Sequence, residues 1–486
     1  MIAFISLDKY KLKGELFVKR VINVIKKFLI FLIILILVVQ FTRAYLYNKM
    51  APELKKWHEK SKYEEPEYEK FKTIDEYLVA EKEFLEKTYA EVEVKSKDDL
   101  TRFSKNGILS PINEKGENIN SSFELIPEKI KGGVLLLHGL TDSPFMMRDV
   151  GQIFYEKGYY VLGLRYKYHG TFPGELPKIS QKDFEEAAIF GSKMIKEKLK
   201  DIKNPEFYMV GFSTGAAATL QYITQSVKKD KELPTPQKVF WLSPAMGVSS
   251  AAKFGFLDSW VSMIPYFKKF QWLDINPEYD PSKYNSFPKN PGIQVYYLIK
   301  KAKLNFSKLG KEEKMNLPPI YSYTSLVDST VLDKDLYDIF EKMENPNNKL
   351  VIFDINRKFE DFFKPNLIKL NLKDEMSELN FKFNVAFISN YSSKKDDEVA
   401  ILNYNNNVFS EENKSNLKWN ESNFSLSHVA IPISPSNPIY GRDSILGSLN
   451  LKGENNSLYL SPNLLYRLRY NEFFQYIEND IKMVLN

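Results

Sequence analysis

Three side chains in this sequence have the types that nucleophilic acyl chemistry needs, in the chain order serine, acid, histidine: Ser213, Asp328 and His428. Ser213 is the centre of Gly211-Phe212-Ser213-Thr214-Gly215, a Gly-x-Ser-x-Gly that directly follows the apolar run Phe207-Tyr208-Met209-Val210. In such a motif a strand turns sharply into a helix, the serine backbone is strained, and the hydroxyl stands clear of the sheet. A hydroxyl becomes a useful nucleophile when a base takes its proton and an acid steadies that base in one tautomer. Histidine is the natural base near neutrality, and the chain has four. His428, in Ser425-Leu426-Ser427-His428-Val429-Ala430, is the one placed late enough to follow both the serine and the acid. Asp328, in Leu326-Val327-Asp328, follows a predicted strand and is the candidate acid. His138 opens the loop His138-Gly139-Leu140, where the Leu140 amide can join the Thr214 amide as a two-donor oxyanion hole. His169, in Tyr168-His169-Gly170, reads as a structural hydrogen-bonding residue. His58, in a charged stretch, reads as a solvated surface histidine with no metal-ligand spacing around it.

The elements around these residues follow an alternating pattern. A buried strand over 133–137 leads to the oxyanion loop, a helix is predicted over Met146–Lys157 and a strand over Tyr159–Leu164, which makes a βαβ unit and implies a parallel sheet. Ser180 and Asp183 mark the capped start of the helix before the elbow strand, and Ala216 to Tyr222 favours helix after it. Further strands are expected at Val239–Leu242, Ile320–Tyr323 and Leu350–Phe353, with a helix over Lys334–Met343. The fold class is therefore α/β, a doubly wound and mostly parallel sheet with catalytic groups at the carboxyl ends of its strands. Two stretches interrupt it. A helical cap is expected over about 246–316; its aromatic run, Phe254, Phe256, Trp260, Tyr266, Phe267, Phe270 and Trp272 with Met263, either lines an apolar acyl pocket or packs against the sheet. An insertion over about 358–425 carries a predicted strand at Phe383–Ile388 and an Asn-rich loop at 403–407. A closing helix is expected from about Pro462 to Val484.

Composition and the N-terminus bound the rest. The 486 residues are 27% charged and 43% hydrophobic, close to the soluble average, so a sizeable core is expected. Absence of cysteine excludes thiolate catalysis, disulfides and thiolate metal sites. The net charge is +6, most of it in residues 1–27, a basic cytoplasmic segment; no nucleic-acid partner, cofactor or metal is expected. Phe28 to Val39 is unbroken apolar sequence, and residues 28–47 are long enough for one bilayer span. Lys19, Arg20, Lys26 and Lys27 on its N-terminal side favour a cytoplasmic N-terminus and a domain outside. A cleaved signal peptide is the rival reading, although Thr42-Arg43-Ala44 is a poor cleavage site. Residues 48–120 read as a charged helical extension with a capping box at Thr73 to Glu76, whose apolar face at Ile74, Tyr77, Leu78, Leu85 and Tyr89 lies on the catalytic domain or the membrane surface, and 121–486 as the catalytic domain.

Ser, Asp, His in that chain order differs from the order in chymotrypsin-like and subtilisin-like enzymes. Together with Gly133 to Leu140, His169-Gly170-Thr171, Pro173-Gly174, the Gly211 to Gly215 motif, Leu326-Val327-Asp328 and Ser427-His428, it makes residues 121–486 resemble α/β-hydrolase serine esterases. The type is that of monoacylglycerol lipases and small carboxylesterases, including membrane-anchored bacterial members. The resemblance implies Ser213 as nucleophile, Asp328 and His428 as its partners, and an oxyanion hole from the Leu140 and Thr214 amides. It implies an ester substrate with an apolar acyl group, such as a monoacylglycerol or lysophospholipid. The stretch between the last predicted strand and His428 is longer than is usual in these relatives. A serine peptidase of the same fold and a non-catalytic envelope binding domain stay open as alternatives, because fold alone does not select among them.

Overall fold

Unbroken apolar runs become the central strands, because a strand covered on both faces has no polar side to show. In a computed structural model of the chain, the described residues are 2–95, 100–228, 233–247, 255–328, 333–362, 383–390, 398–405, 408–419, 423, 425–444, 446–447 and 468–486. The main sheet contains β1 (Phe123–Leu125), β2 (Gly132–Leu137), β3 (Tyr159–Leu164), β4 (Glu206–Phe212) and β5 (Lys238–Leu242). It continues with β8 (Ile320–Ser325), β9 (Lys349–Phe353), β10 (Asn384–Ser389), β11 (Glu398–Asn405) and β12 (Val408–Lys418), while β6 (Trp272–Asp274) and β7 (Phe287–Pro288) form a separate ribbon. The order across the main sheet is β1-β3-β2-β4-β5-β8-β9-β10-β11-β12. From β3 to β10 neighbouring strands are parallel, and β1, β11 and β12 are antiparallel additions at the edges.

Side chains alternate between the two faces along each strand, which splits the core in two. Leu135, Leu137, Leu162, Met209 and Trp241 face a layer that includes α4 (Gln181–Lys198), α5 (Thr214–Ser226) and α7 (Lys289–Ser307). Val134, Leu136, Val161, Val210 and Phe240 face α3 (Arg148–Glu156) and α10 (Phe474–Val484). The fold is thus a mixed, mostly parallel sheet flanked by helices, as an α/β-hydrolase core requires.

The insertion extends this sheet. β10 pairs parallel with β9, and β11 and β12 follow as an antiparallel hairpin. Asn403 and Asn405, expected in a loop, belong to β11, because cross-strand pairing and a half-buried face override the turn preference of asparagine; residues 406–407 lie outside the described ones. The closing helix begins at Phe474, not near Pro462, since residues 468–473 are irregular; 462–467 lie outside the described residues.

N-terminal to the sheet, α1 runs from Ile2 to Met50 without a break. Its Phe17–Met50 part has a most apolar window of mean hydropathy 2.7, none of it buried. After it the chain lies on the sheet's helical layer. α2 (Ile74–Val92) starts at the expected capping box, with the Thr73 hydroxyl accepting from the Glu76 amide, and buries Ile74, Tyr77, Phe84, Leu85 and Tyr89. Arg165, at the end of β3, is fully buried between the Glu65 and Glu81 carboxylates. His58 is not solvated: it is 3% exposed, accepts the Lys55 amide at Nδ1 and reaches Ser286 with Nε2, under the Trp272 ring. Burial holds its pKa down at about 4. A charged neighbourhood in sequence does not report that His58 itself is covered.

Candidate active site

The sheet reverses its winding between β2 and β4: β3 lies on one side of β2 and β4 on the other. Ligand sites in open α/β sheets form outside the carboxyl ends of strands at such a switch point. Gly139 and Leu140 follow β2, and Ser213 follows β4. Ser213 is the residue between β4 and α5, with φ 52° and ψ −114°. That is outside the regions open to ordinary residues and costs about 1–3 kcal/mol. Two glycines make the turn possible. A Cβ on Gly211 would sit 2.5 Å from the Ala216 nitrogen, and one on Gly215 would sit 2.1 Å from the Leu137 carbonyl oxygen. The start of α5 therefore rests directly on the end of β2. Thr214, its first residue, has an amide without an intrahelical acceptor.

His428 and Asp328, a hundred residues apart, meet: His428 Nδ1 lies 2.6 Å from Asp328 Oδ2, with both side chains buried. With Asp328 ionised, Nδ1 carries the proton and Nε2 is left as the free base position. The Phe212 ring, adjacent to Ser213, packs on the His428 ring at 5.4 Å between centroids. Ser243, at the end of β5, donates its hydroxyl to the His428 carbonyl at 3.0 Å. The same turn holds Ser213, whose amide donates to the Leu242 carbonyl and whose carbonyl accepts from Ala245.

The length of the insertion leaves this placement intact. The chain departs after β9 at Ile355 and returns at Ser425, and these two residues pair as an antiparallel bridge. The Asn356 side chain donates to the Asn423 carbonyl at 3.0 Å beside it. His428 thus follows the closed neck of the insertion by three residues, as it would follow a short loop. Beyond it, Ser427 Oγ donates to the Leu468 carbonyl, and Asp149 on α3 accepts from the Ser434 amide and the Asn437 side chain.

The loop after β2 is held by His138 and His169. The Tyr166 amide donates to His138 Nε2, which leaves the proton on Nδ1, donated to the Gly139 carbonyl at 2.8 Å. That carbonyl and the Leu140 N–H share one planar trans peptide and point opposite ways. His138 therefore aims the Leu140 amide without touching it. His169 Nε2 faces the Leu140 carbonyl at 2.5 Å and Nδ1 faces the Lys167 carbonyl at 2.9 Å. Burial keeps this ring neutral, with a pKa lowered to about 4, so it donates to one of the two. Burial likewise keeps His138 well below the usual histidine range.

Phe212, Ser243, Asn356 and Asp149 carry no sequence signal of their contact with the His428 region; Ser243-Pro244 after a strand was the nearest hint. The cap aromatics are placed differently from expectation. Trp260, Met263 and Tyr266 are 77%, 80% and 58% exposed, while Val261 and Phe270 pack on Ala44 of α1. Trp272 lies on His58. α1 supplies an apolar partner that the local pattern could not announce, so these residues sit against α1 or outward instead of lining an acyl pocket. The Phe254 backbone and the Phe256 side chain lie outside the described residues.

No family model matches the chain, and no curated protein matches it. Solved structures match about half of it. One is a metagenome-derived lipolytic enzyme, at 17% identity over 48% of this chain and 86% of that one, TM-score 0.38. Another is the monoacylglycerol lipase of Paleococcus ferrophilus, at 16% identity over 48% and 88%, TM-score 0.35. A third is a soluble variant of the monoglyceride lipase of Saccharomyces cerevisiae, at 12% identity over 53% and 90%, TM-score 0.34.

Proposed function

We propose that this chain is a serine hydrolase of carboxylic esters with Ser213 as nucleophile, His428 as base and Asp328 as its orienting acid. The observation that carries the reading is the buried His428–Asp328 pair at 2.6 Å beside a serine held at φ 52° on a strand-to-helix turn. In the first half-reaction His428 Nε2 takes the Ser213 proton as Oγ bonds to the ester carbon. The carbonyl oxygen becomes an oxyanion facing the Leu140 and Thr214 amides. The imidazolium then protonates the departing alkoxide as the ester bond breaks, leaving an acyl-serine and a neutral histidine. Water repeats the sequence to release the acid and restore Ser213.

The substrate class is an apolar acyl ester such as a monoacylglycerol or lysophospholipid, supplied by the bilayer that α1 spans, with the catalytic domain outside the cytoplasm. A fluorophosphonate should label the full-length chain and fail to label Ser213→Ala. Hydrolysis should then rise at least about tenfold in kcat/KM from acetyl to dodecanoyl esters, equivalent to about 1.4 kcal/mol. Absence of labelling would sink the enzymatic reading and leave a binding domain. Labelling with a flat ester series and peptide cleavage would favour the peptidase.

A further inference from the structure

We infer that α6 (Gly255–Ser262), the 3-10 segment Pro265–Gln271 and the outer end of α1 form one lipid-facing surface. Trp260, Met263, Ile264 and Tyr266 are seated in the interfacial layer of the same bilayer that α1 crosses. The inference rests on the anchor part of the proposed function, not on the triad.

One side of this segment is already occupied. Val261 and Phe270 are buried against Ala44, Phe267 meets Phe41 with ring centroids 5.7 Å apart, and Tyr47 donates its hydroxyl to the Leu273 carbonyl at 3.2 Å. Arg43, the one charge in residues 28–47, reaches Asp258 of α6 at 3.5 Å, and Asp258 also holds Lys289 at 2.8 Å. Helix and cap are therefore joined by packing and by an ion pair, and the domain does not hang from α1 on a tether. The other side of the segment presents Trp260, Met263, Ile264 and Tyr266, at 77%, 80%, 41% and 58% exposed, within seven residues. Water is a poor neighbour for such a patch.

Depth selects the occupant. With the span ending near Tyr47, Phe41 lies about 9 Å inside that end at 1.5 Å per residue. Phe267 touches Phe41, so Tyr266 beside it lies near the depth of about 5–10 Å to which the apolar face of an interfacial helix is buried. The flanking Lys268 and Lys269 are engaged with Glu59 and Glu53 on the domain side, so the face meets lipid through apolar side chains.

Trp260 is also the natural probe, since Trp241, Trp272 and Trp419 are buried and Trp57 is half-buried. The full-length chain and its Trp260→Phe variant are reconstituted in phosphatidylcholine vesicles with or without bromine on the acyl chains. The difference between the two spectra isolates Trp260. Its emission should fall at least about twofold on brominated lipid and resist aqueous iodide, as expected for an interfacial side chain. Emission quenched by iodide and untouched by brominated lipid overturns the inference. Emission untouched by both, with concentration-dependent pairing of the chain, overturns it in favour of a second copy. Carbonate extraction separates the layers of the argument: release of the chain ends the anchor reading and this inference together. Retention with an unquenched Trp260 ends this inference alone, and hydrolysis of a short water-soluble ester by the same samples reports on the triad independently.

Discussion

Ser213 and Ser243 stand at the carboxyl ends of neighbouring strands β4 and β5, both with left-handed φ, 52° and 43°, and the structure uses them in opposite ways. Ser213 opens helix α5 and is followed by Thr214, whose amide is free of an intrahelical partner. Ser243 is followed by Pro244, which has no N–H to offer an oxyanion. Ser243 is fully buried, and its hydroxyl is already committed to the His428 carbonyl. The strained turn alone therefore does not make a nucleophile. What distinguishes Ser213 is the helix that begins at its next residue.

Substitutions should widen that contrast. Ser213→Ala and His428→Ala are each expected to lower kcat for ester hydrolysis by about 10⁴–10⁶, with the double variant no worse than either single one. Thermal melting should stay within about 0.5 kcal/mol of the parent for Ser213→Ala, because the backbone turn is kept. Asp328→Asn should cost about 10⁴ in kcat by presenting the wrong hydrogen-bonding partner to His428 Nδ1; near-parental activity would remove Asp328 from the triad. His138→Ala should lower kcat by about 10²-fold with KM nearly unchanged, since the Leu140 amide loses its aim in the transition state only. A change confined to KM would show that the loop positions substrate instead. Ser243→Ala should cost about 1 kcal/mol of stability, one buried hydrogen bond, and less than tenfold in kcat. A loss near that of Ser213→Ala would erase the distinction between the two serines.

Acid provides a weaker test of the scaffold around the site. His58 and His169 are held at about 4 by burial, below their ordinary 6.5, so the unfolded chain binds protons there that the folded chain refuses. Their contribution is present above pH 6.5 and is lost as pH falls toward 4, up to roughly 3 kcal/mol each. Glu278 works the other way: burial raises it to about 7, so its contribution is present below 4.5 and is lost as pH rises to 7. Burial raises Glu65, Asp149 and Asp274 in the same direction as Glu278, and lowers His138 with the other two rings, so removing a single ring isolates its share. In urea unfolding a His58→Gln variant should therefore lose less stability than the parent between pH 7 and pH 5; an equal loss would mean that the His58 ring is hydrated or charged in the folded protein.

Much of the fold was written locally. Apolar runs at Gly133 to Leu137, Tyr159 to Leu164 and Val239 to Leu242 became strands within a residue of expectation. Capping boxes at Thr73 and Ser180 start helices where their side chains dictate. Such features depend on residues a few positions apart, so a one-dimensional pattern carries them. The glycines of the Ser213 turn are of the same kind, because a Cβ there would meet backbone only a few residues away or on the adjoining strand.

Pairings across long separations were not legible. The neck between Ile355 and Ser425 depends on one bridge closing a long excursion, and nothing in either residue announces it. The burial of His58 and the outward turn of Trp260 depend on a segment folding back and on α1 taking one face of the cap. Sequence by itself determined the strand order's raw material, the strained serine and the candidate acid and base. Only the tertiary structure decided that His428 meets Asp328 and that Ser243 is scaffold, because those outcomes depend on which strand ends come to lie side by side.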